Sequence, residues 1–353
     1  MAVRLRDNNF DALRLAFALA VFLWHVHALA QVPALAPLAG AISLAADWGV
    51  KGFFVISGYL VMQSYENSPT VLEYAAKRVR RIYPAYCAVV LASVLMGAVL
   101  TTLPLGDYLS GGLVRFIAAN LAFLNFLSPE LPGVFQGQRF PEVNGALWTL
   151  KIEVMFYVFL PVLAWMLARI GRWPVVVSLY ALSVAYGVIL GTLHERTGDG
   201  LWLQLQRQLP GQLSYFLVGV ALYDRRDMAA GGQRIAVAAA AAALIAIRLL
   251  GHSALTAALE PVALGVLVVF AATGIRHLGN AARFGDLSYG VYIIHFPVLQ
   301  SLVLLGTFRD APWVGFGASV ALVLLLAAAS WHIVERPFLK RDSHYRLAGR
   351  RKT

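Results

Sequence analysis

Charged residues and cysteine are both scarce in this chain. Asp, Glu, Lys and Arg make up 13% of its 353 residues, about half the share that a soluble domain carries. The single cysteine, Cys87, excludes a disulfide framework and a metal centre built on several cysteine ligands. Hydrophobic residues, in contrast, make up 59% of the chain. This composition is typical of a polytopic membrane protein.

The apolar residues are grouped into segments long enough to predict an all-α membrane helical bundle of about ten transmembrane helices. The segments lie at 14–30, 44–63, 84–103, 147–167, 174–190, 213–223, 235–250, 257–275, 287–305 and 314–333. A further apolar stretch at 113–127 is short and contains Arg115. We interpret it as an interfacial or re-entrant segment that does not cross the membrane.

The basic residues indicate the orientation of the bundle. The net charge is +11, and with ten spans most Lys and Arg lie in the loops on the same side as the two termini. The positive-inside rule then places both termini in the cytoplasm. The basic excess is therefore a topology signal, and we expect no nucleic-acid partner.

Arg14 and His25 lie eleven residues apart in the first apolar segment, and every residue between them is apolar. Eleven residues make about three helical turns, so both side chains project from one helix face, about 16 Å apart along the axis. An ionisable group inside the bilayer is costly and marks a candidate functional site. We therefore predict that His25 is catalytic.

Arg78 and Arg81 follow the second apolar segment, on the predicted cytoplasmic side. They are three residues apart, so they share one face of a helical turn. Guanidinium groups match phosphate oxygens with two parallel hydrogen bonds, which favours a phosphate site that Arg14 would complete. The alternative is that these arginines only provide the positive charge that orients the protein.

Glu153 is a second candidate catalytic residue. It lies about 9 Å inside the outer end of the fourth span, and His25 lies about 7 Å inside the outer end of the first. A carboxylate at matching depth could fix the tautomer of His25 and raise its basicity. The alternative is a structural role, with Glu153 bonded to Tyr157 or Trp148.

Three further features have structural interpretations. We interpret Ser57 and Gly58 as a close-packing step between helices, since no nucleophile-elbow pattern surrounds them. Pro297 is expected to open its helix, with His295 satisfying a freed carbonyl. Glu335 is expected either to form an anchoring ion pair with Arg336 or to be a partner for the arginines of the 64–83 loop.

The long outward connection at 104–146 carries Pro, Gly and Asn residues. A long irregular loop in a compact protein is often a binding loop or a lid. We therefore expect this connection to face the acceptor of any reaction that the protein catalyses.

Six motifs in order resemble those of the membrane acyltransferase 3 family, the bacterial polysaccharide O-acyltransferase group. They are D11-A-L-R14 followed by His25, F53-F-V-I-S-G-Y, R78-V-R-R-I-Y-P, W148-T-L-K-I-E-V-M-F-Y, L287-S-Y-G-V-Y-I-I-H-F-P and E335-R-P. Each motif alone is weak, but together they cover nearly the whole chain. The resemblance implies a transmembrane acyltransferase domain at 1–340 and a basic cytoplasmic tail at 341–353.

The resemblance also implies a reaction: transfer of an acyl group, usually acetyl, from cytoplasmic acyl-CoA to a hydroxyl of a carbohydrate or glycolipid. The implied catalytic residues are His25 and Glu153, and the implied acyl-CoA-binding residues are Arg14, Arg78 and Arg81. Thr149 stands where the family usually has Ser. Acetyl-CoA is the expected co-substrate, no metal is expected, and the implied location is the bacterial inner membrane, with a homo-oligomer possible.

Two other functions are compatible with these residues. A polysaccharide or glycolipid transporter would also carry polar groups near the midplane, although the repeat symmetry and paired broken helices typical of transporters are not evident in the sequence. An enzyme that acylates a small acceptor other than a polysaccharide is the second alternative.

Overall fold

The computed structural model describes residues 8–224, 230–251, 253–274, 285–309 and 311–339. Over these ranges the chain forms helices joined by turns and loops, with no β-strand. The predicted all-α fold class is therefore confirmed. The basic tail predicted at 341–353 lies outside the described residues.

Fourteen α-helices occur within the described ranges. They are α1 (Phe10–Ala30), α2 (Ala39–Glu66), α3 (Val71–Leu100), α4 (Leu105–Tyr108), α5 (Gly111–Leu121), α6 (Trp148–Ile170), α7 (Arg172–Thr197), α8 (Gly200–Gln206), α9 (Leu209–Asp224), α10 (Ala230–Leu250), α11 (Ala254–Thr273), α12 (Leu287–Leu304), α13 (Pro312–Ala329) and α14 (Arg336–Phe338). Short 3-10 turns precede α2 and α6 and follow α5, and a π-helical turn follows α13.

Eight helical segments of the described chain are long and apolar enough to cross a membrane. They contain α1, α2, α3, α6, α7, α11, α12 and α13, and each matches a span predicted from the sequence. The polytopic membrane architecture is thus confirmed. The cytoplasmic placement of the termini stays a prediction.

The other two predicted spans are helical but fall short of these criteria. Helix α9 has 16 residues, or about 24 Å of rise against about 30 Å of hydrocarbon. The apolar part of α10 is limited to Ile235–Ile247. Helix α5 has only 11 residues, about 16 Å of rise, in agreement with the prediction that the 113–127 stretch does not cross.

The chain divides into two compact units. The first unit contains the described residues of 1–13, 50–75 and 152–277, and the second contains those of 14–49, 76–151 and 278–353. Helices α1, α2, α3 and α6 each contain a boundary between the units.

In the first unit, α2 and α9 approach each other at two glycines. A Cβ atom on Gly58 would lie 2.0 Å from the carbonyl oxygen of Phe216, and one on Gly219 would lie 2.1 Å from that of Val55. Only glycine lets two helix backbones come so close in a membrane. The interpretation of the Ser57–Gly58 step as a packing site is confirmed.

An ion pair and a hydrogen bond to the same glutamate link three helices of the first unit. The Lys51 ammonium lies 3.0 Å from Glu260 Oε1, and the Tyr215 hydroxyl donates to Glu260 Oε2 at 3.1 Å. These contacts join α2, α11 and α9, and they leave neither the lysine nor the glutamate as an isolated charge in an apolar layer.

In the second unit, a side chain from the 104–146 connection forms the hydrogen bond that Pro297 removes from α12. Proline has no N–H, so the carbonyl of Ile293 loses its partner within the helix. The Asn144 side-chain amide donates to that carbonyl at 2.8 Å, and the Asn144 Oδ1 accepts from the Ala146 N–H at 3.3 Å. The expectation that His295 satisfies the freed carbonyl was therefore wrong, because Asn144 reaches it from another segment.

This contact predicts a stability effect for Asn144→Ala. The substitution leaves the buried Ile293 carbonyl without a donor, so we expect it to lower the free energy of unfolding by about 1–3 kcal/mol. Thermal or denaturant unfolding of the detergent-solubilised protein measures the change.

Asn67→Ala is the matched control, because the Asn67 side chain also donates to a backbone carbonyl, that of Gln63, but at an exposed position. We expect a change within about 0.5 kcal/mol there. Equal losses in the two variants would contradict a special role for Asn144.

Candidate active site

Two histidines from distant parts of the sequence meet in the second unit. The Nδ1 atom of His25, on α1, lies 2.9 Å from the Nε2 atom of His295, on α12. The ring centroids are 4.9 Å apart, with an interplanar angle of 35°. His295 is fully buried and His25 is half-buried. We call His25 and His295 the histidine pair.

Aromatic side chains surround the histidine pair. Phe22 and Tyr292 present edges to the His295 ring at centroid distances of 6.0 and 5.9 Å, and Phe296 does the same to His25 at 5.0 Å. Gly145 makes room for Phe296, because a Cβ there would lie 2.8 Å from the phenylalanine ring. The packing restricts the rotation of both imidazoles.

Thr149 connects the start of α6 to the same region. Its hydroxyl lies 2.7 Å from the hydroxyl of Tyr292, whose ring flanks His295. The resemblance implies Ser at this position. Thr149 also has a side-chain hydroxyl, so it can make the same contact.

The irregular segment 128–144, which we call the outer loop after its predicted side of the membrane, is fixed to the ends of α1 and α12 just beyond the histidine pair. Arg139 donates to the Ala28 carbonyl at 3.2 Å. The buried amide of Gln300 donates to the carbonyls of Phe140 at 2.6 Å and Glu142 at 3.0 Å. These bonds hold part of the long connection that the sequence indicates as a binding loop or lid.

Four charged side chains form a second feature of the same unit. An Arg14 nitrogen lies 3.0 Å from Asp286 Oδ2, and Arg81 donates both to that oxygen and, at 3.0 Å, to Glu335 Oε2. None of the four side chains is more than 14% exposed. We call Arg14, Arg81, Asp286 and Glu335 the charged cluster.

Neutral donors complete the bonding of both carboxylates. Asp286 Oδ1 accepts from the Ser288 hydroxyl at 2.5 Å and from the Ser288 N–H, so Asp286 also caps the start of α12. The Ser330 hydroxyl donates to Glu335 Oε1 at 3.1 Å. A buried ion pair is stable only when its remaining lone pairs are satisfied in this way.

The local backbone explains how the two carboxylates reach the arginines. Gly285 has φ +112°, and a Cβ there would lie 2.1 Å from the Trp331 ring, so only glycine fits directly before Asp286. Glu335 ends a π-helical turn at Ser330–Glu335. Such turns are rare in proteins overall, and many of those that occur lie at functional sites.

Asp286 lies outside the membrane-spanning segments, and its charge depends on the two arginines. Burial would raise the pKa of its carboxyl, but Arg14 and Arg81 outweigh burial and, with the Ser288 hydrogen bonds, lower the pKa to about 2. Asp286 is therefore ionised at physiological pH, and it neutralises part of the charge of both arginines.

The predicted site residues are distributed over both units. Arg14 and Arg81 belong to the charged cluster, and Arg78 is half-buried one turn before Arg81 on α3. Glu153 belongs to the first unit, where its carboxylate accepts a hydrogen bond from the Tyr157 hydroxyl. That contact is the structural alternative noted for Glu153; its pairing with His25 stays a prediction.

Sequence reasoning missed two partners in this site. Asp286 was not singled out, although it is an acidic residue directly before an apolar span, where it can cap a helix and balance nearby arginines. His295 was assigned only a backbone role. Glu335 was predicted as a partner for the arginines of the 64–83 loop, and its bond to Arg81 confirms that alternative.

The class of protein is shown by the eight apolar helical segments together with a match to a known family. Residues 7–332 match the family model described as an acyltransferase domain. The chain therefore belongs to this acyltransferase family, and it is a multi-pass membrane protein.

Three curated relatives align over most of both chains. The chain is 28% identical to an O-acetyl transferase of Shigella phage Sf6, covering 96% of this chain and 98% of the relative. It is 30% identical to Nodulation protein 10 of Rhizobium leguminosarum bv. viciae, covering 94% and 93%. It is also 30% identical to the exopolysaccharide production protein ExoZ of Rhizobium meliloti, covering 86% and 93%. No solved structure gives a significant match.

The charged cluster predicts the effect of Asp286→Asn on stability. The variant leaves two buried guanidinium groups without their shared anion, so we expect it to lower the free energy of unfolding at pH 7 by about 3–5 kcal/mol. The difference from wild type should shrink as the pH falls from about 4 towards 2, because an unfolded Asp has a pKa of about 3.9 and the native carboxyl protonates below that.

Denaturant unfolding over this pH range measures the difference. Asp107→Asn is the control, because Asp107 is exposed, and its stability should stay within about 0.5 kcal/mol of wild type. A loss for Asp286→Asn that does not change between pH 7 and pH 2 would contradict the assigned pKa.

Proposed function

We propose that this protein is an integral-membrane O-acyltransferase that moves an acetyl group from cytoplasmic acetyl-CoA to a carbohydrate hydroxyl. The observation that carries the proposal is the histidine pair, a half-buried imidazole held by a buried one inside an apolar segment. The names of the relatives, an O-acetyl transferase and an exopolysaccharide production protein, support the acetyl group and the carbohydrate acceptor.

His25 is the proposed catalytic residue. In direct transfer, its Nε2 takes the proton of the acceptor hydroxyl while the oxygen attacks the thioester carbon. The carbon–sulfur bond then breaks, and the departing thiolate of coenzyme A takes the proton from His25. The products are the O-acyl ester and free coenzyme A, and His25 returns to its starting state.

A covalent route uses the same nitrogen and gives the same products. Here Nε2 attacks the thioester carbon, the carbon–sulfur bond breaks, and coenzyme A leaves as the thiolate. The acceptor oxygen then attacks the acyl carbon, the carbon–nitrogen bond breaks, and the hydroxyl proton passes through Nε2 of His25 to the thiolate. Acyl-CoA supplied without acceptor separates the two routes, because only the covalent one leaves a labelled acyl-histidine in the protein.

The arginines Arg14, Arg78 and Arg81 are the proposed binding site for the phosphates of acyl-CoA, on the cytoplasmic side. Arg14 and Arg81 are balanced by Asp286 and Glu335, so they offer oriented N–H groups rather than excess charge. Arg78 lies one turn before Arg81 on α3 and is half-buried, and guanidinium groups suit phosphate oxygens. We expect donor affinity to depend on Arg78, whose replacement leaves the four side chains of the charged cluster in place.

Helix α1 supports a link between donor binding and chemistry. Arg14 and His25 are eleven residues apart on this helix, a rise of about 16 Å. We propose that the pantetheine arm covers this distance and brings the thioester to His25. The acceptor would approach from the outer loop, whose contacts lie just beyond the histidine pair.

The other parts of the proposal concern Glu153 and the location of the protein. Glu153 would stabilise the imidazolium that forms on His25 during the reaction. A cytoplasmic acyl-CoA donor and an acceptor at the outer face place the enzyme in the bacterial inner membrane, with residues 1–340 as the acyltransferase domain. A homo-oligomer is compatible with this arrangement.

His25→Ala should abolish acyl transfer while the protein still inserts into the membrane. The variant lacks the nitrogen that takes the proton or the acyl group, so we expect a loss of at least roughly 10²-fold. The measurement is the O-acetyl content of surface polysaccharide, by mass spectrometry, in a deletion strain that expresses each variant.

His27→Ala is the matched control, since it removes a histidine two residues away on the same helix, and it should keep its activity. Full activity of His25→Ala would contradict the proposal. So would purified protein that moves a glycolipid across vesicles without consuming acetyl-CoA, which is the behaviour of a transporter.

Arg78→Ala should raise the KM for acetyl-CoA and change kcat little. A charge-assisted hydrogen bond contributes about 1.5–3 kcal/mol, so the rise should be roughly 10- to 100-fold. Initial rates of coenzyme A release in membrane vesicles, measured with acceptor polysaccharide present, give both constants.

Arg80→Ala is the control, because Arg80 is exposed on the same helix. Arg78→Lys should restore only part of the affinity, since an ammonium lacks the two parallel donors. An Arg78→Ala enzyme with an unchanged KM would remove Arg78 from the proposed phosphate site.

A further inference from the structure

We propose that His295 is a positioning residue that holds His25 in the tautomer whose Nε2 carries the lone pair. This inference rests on the proposed function and deepens it, because it assigns a role to the residue that contacts the ring of the proposed catalytic residue His25. His295 itself touches neither donor nor acceptor in this scheme, and it acts through His25.

The hydrogen bonds of His295 determine its own tautomer. Its Nδ1 atom lies 3.0 Å from the carbonyl oxygen of Val291. A carbonyl oxygen can only accept, so Nδ1 must carry a hydrogen. In a neutral imidazole the other nitrogen then has a lone pair, and Nε2 of His295 is an acceptor.

The tautomer of His25 follows from that of His295. Nε2 of His295 faces Nδ1 of His25 at 2.9 Å. Since the first atom accepts, the second must donate, and the single hydrogen of a neutral His25 lies on Nδ1. Nε2 of His25 is thereby left as the lone-pair nitrogen, which both proposed routes require.

The surroundings of His295 keep this arrangement in place. Its ring is fully buried, with Phe22 and Tyr292 packed edge-on against it. The helix on which it lies is held at its proline break by Asn144. A ring flip would lose the bonds to both Val291 and His25, so the pair has one consistent hydrogen pattern.

An imidazole suits this position better than a carboxylate for an electrostatic reason. A carboxylate would accept the same hydrogen bond, but it would place a charge in an apolar segment of the membrane, where an ionised group is costly. The neutral His295 orients His25 without that cost. It still accepts from Nδ1 when His25 is protonated during the reaction.

The test compares His295→Gln with His295→Met. Glutamine can place its carbonyl oxygen near the position of Nε2 and accept from His25, whereas methionine has similar length and only a weak acceptor. We expect kcat to fall by roughly 10²–10⁴-fold in His295→Met, with little change in the KM for acetyl-CoA. His295→Gln should recover most of that loss, which a purely structural role for the ring would not produce.

Nitrogen-15 NMR of histidine-labelled protein in lipid gives a second measurement that does not depend on activity. Ring nitrogens with and without hydrogen have distinct chemical shifts, and the His25 signals are those that vanish in His25→Asn. We expect hydrogen on Nδ1 of His25 in wild type and in His295→Gln. In His295→Met, hydrogen should lie on Nε2 in a larger share of molecules than in wild type, while the backbone carbonyl of Val21 still accepts from the His25 ring.

The outcomes separate this inference from the proposed function. Hydrogen on Nε2 of His25 in wild type would overturn the inference, even if no variant folds. Equal kcat values for folded His295→Met and wild type would also overturn it. The expected tautomer in a wild-type protein that transfers no acyl group would instead support the orientation by His295 and contradict the acyltransferase reaction.

Discussion

The described structure depends on one constraint: a polar group buried away from water needs a hydrogen-bond or ion-pair partner from the protein itself. Three polar features of the second unit meet this constraint through contacts between segments that are distant in sequence. The histidine pair joins α1 to α12, Asn144 satisfies the carbonyl freed by Pro297, and the charged cluster joins α1, α3, α12 and the π-helical turn. These polar contacts therefore hold together helices of the second unit that are distant in sequence.

Helix α12 has a central position in this arrangement because its polar side chains occur along its whole length. Asp286 caps its start and binds two arginines, His295 contacts His25 in its middle, and Gln300 holds the outer loop. A shift of this helix by one turn, about 5.4 Å, would break all three sets of contacts. The charged cluster, the histidine pair and the outer loop are in this way connected through one helix.

Much of the fold could be predicted because hydropathy and length are local properties. Eight of the ten predicted apolar segments meet the spanning criteria. The other two correspond to α9 and α10, which are helical but whose described residues fall short of those criteria. Arg14 and His25 were recognised as functional candidates because a charge or an imidazole next to or within an apolar run stands out, and Arg81 because it lies three residues from Arg78 on one helix face. Their partners were harder to find, since an ion pair such as Arg81 with Asp286 joins residues 205 positions apart.

The sequence by itself determined which residues must be buried in a membrane and which of them would be costly without a partner, because both follow from the chemistry of each segment. Only the tertiary structure decided who the partners are. In that structure His25 contacts a second imidazole, and the Ile293 carbonyl accepts from Asn144 rather than from His295. Arg81 binds two carboxylates. Those choices depend on how helices distant in sequence pack side by side, and periodicity within one helix contains no information about its neighbours.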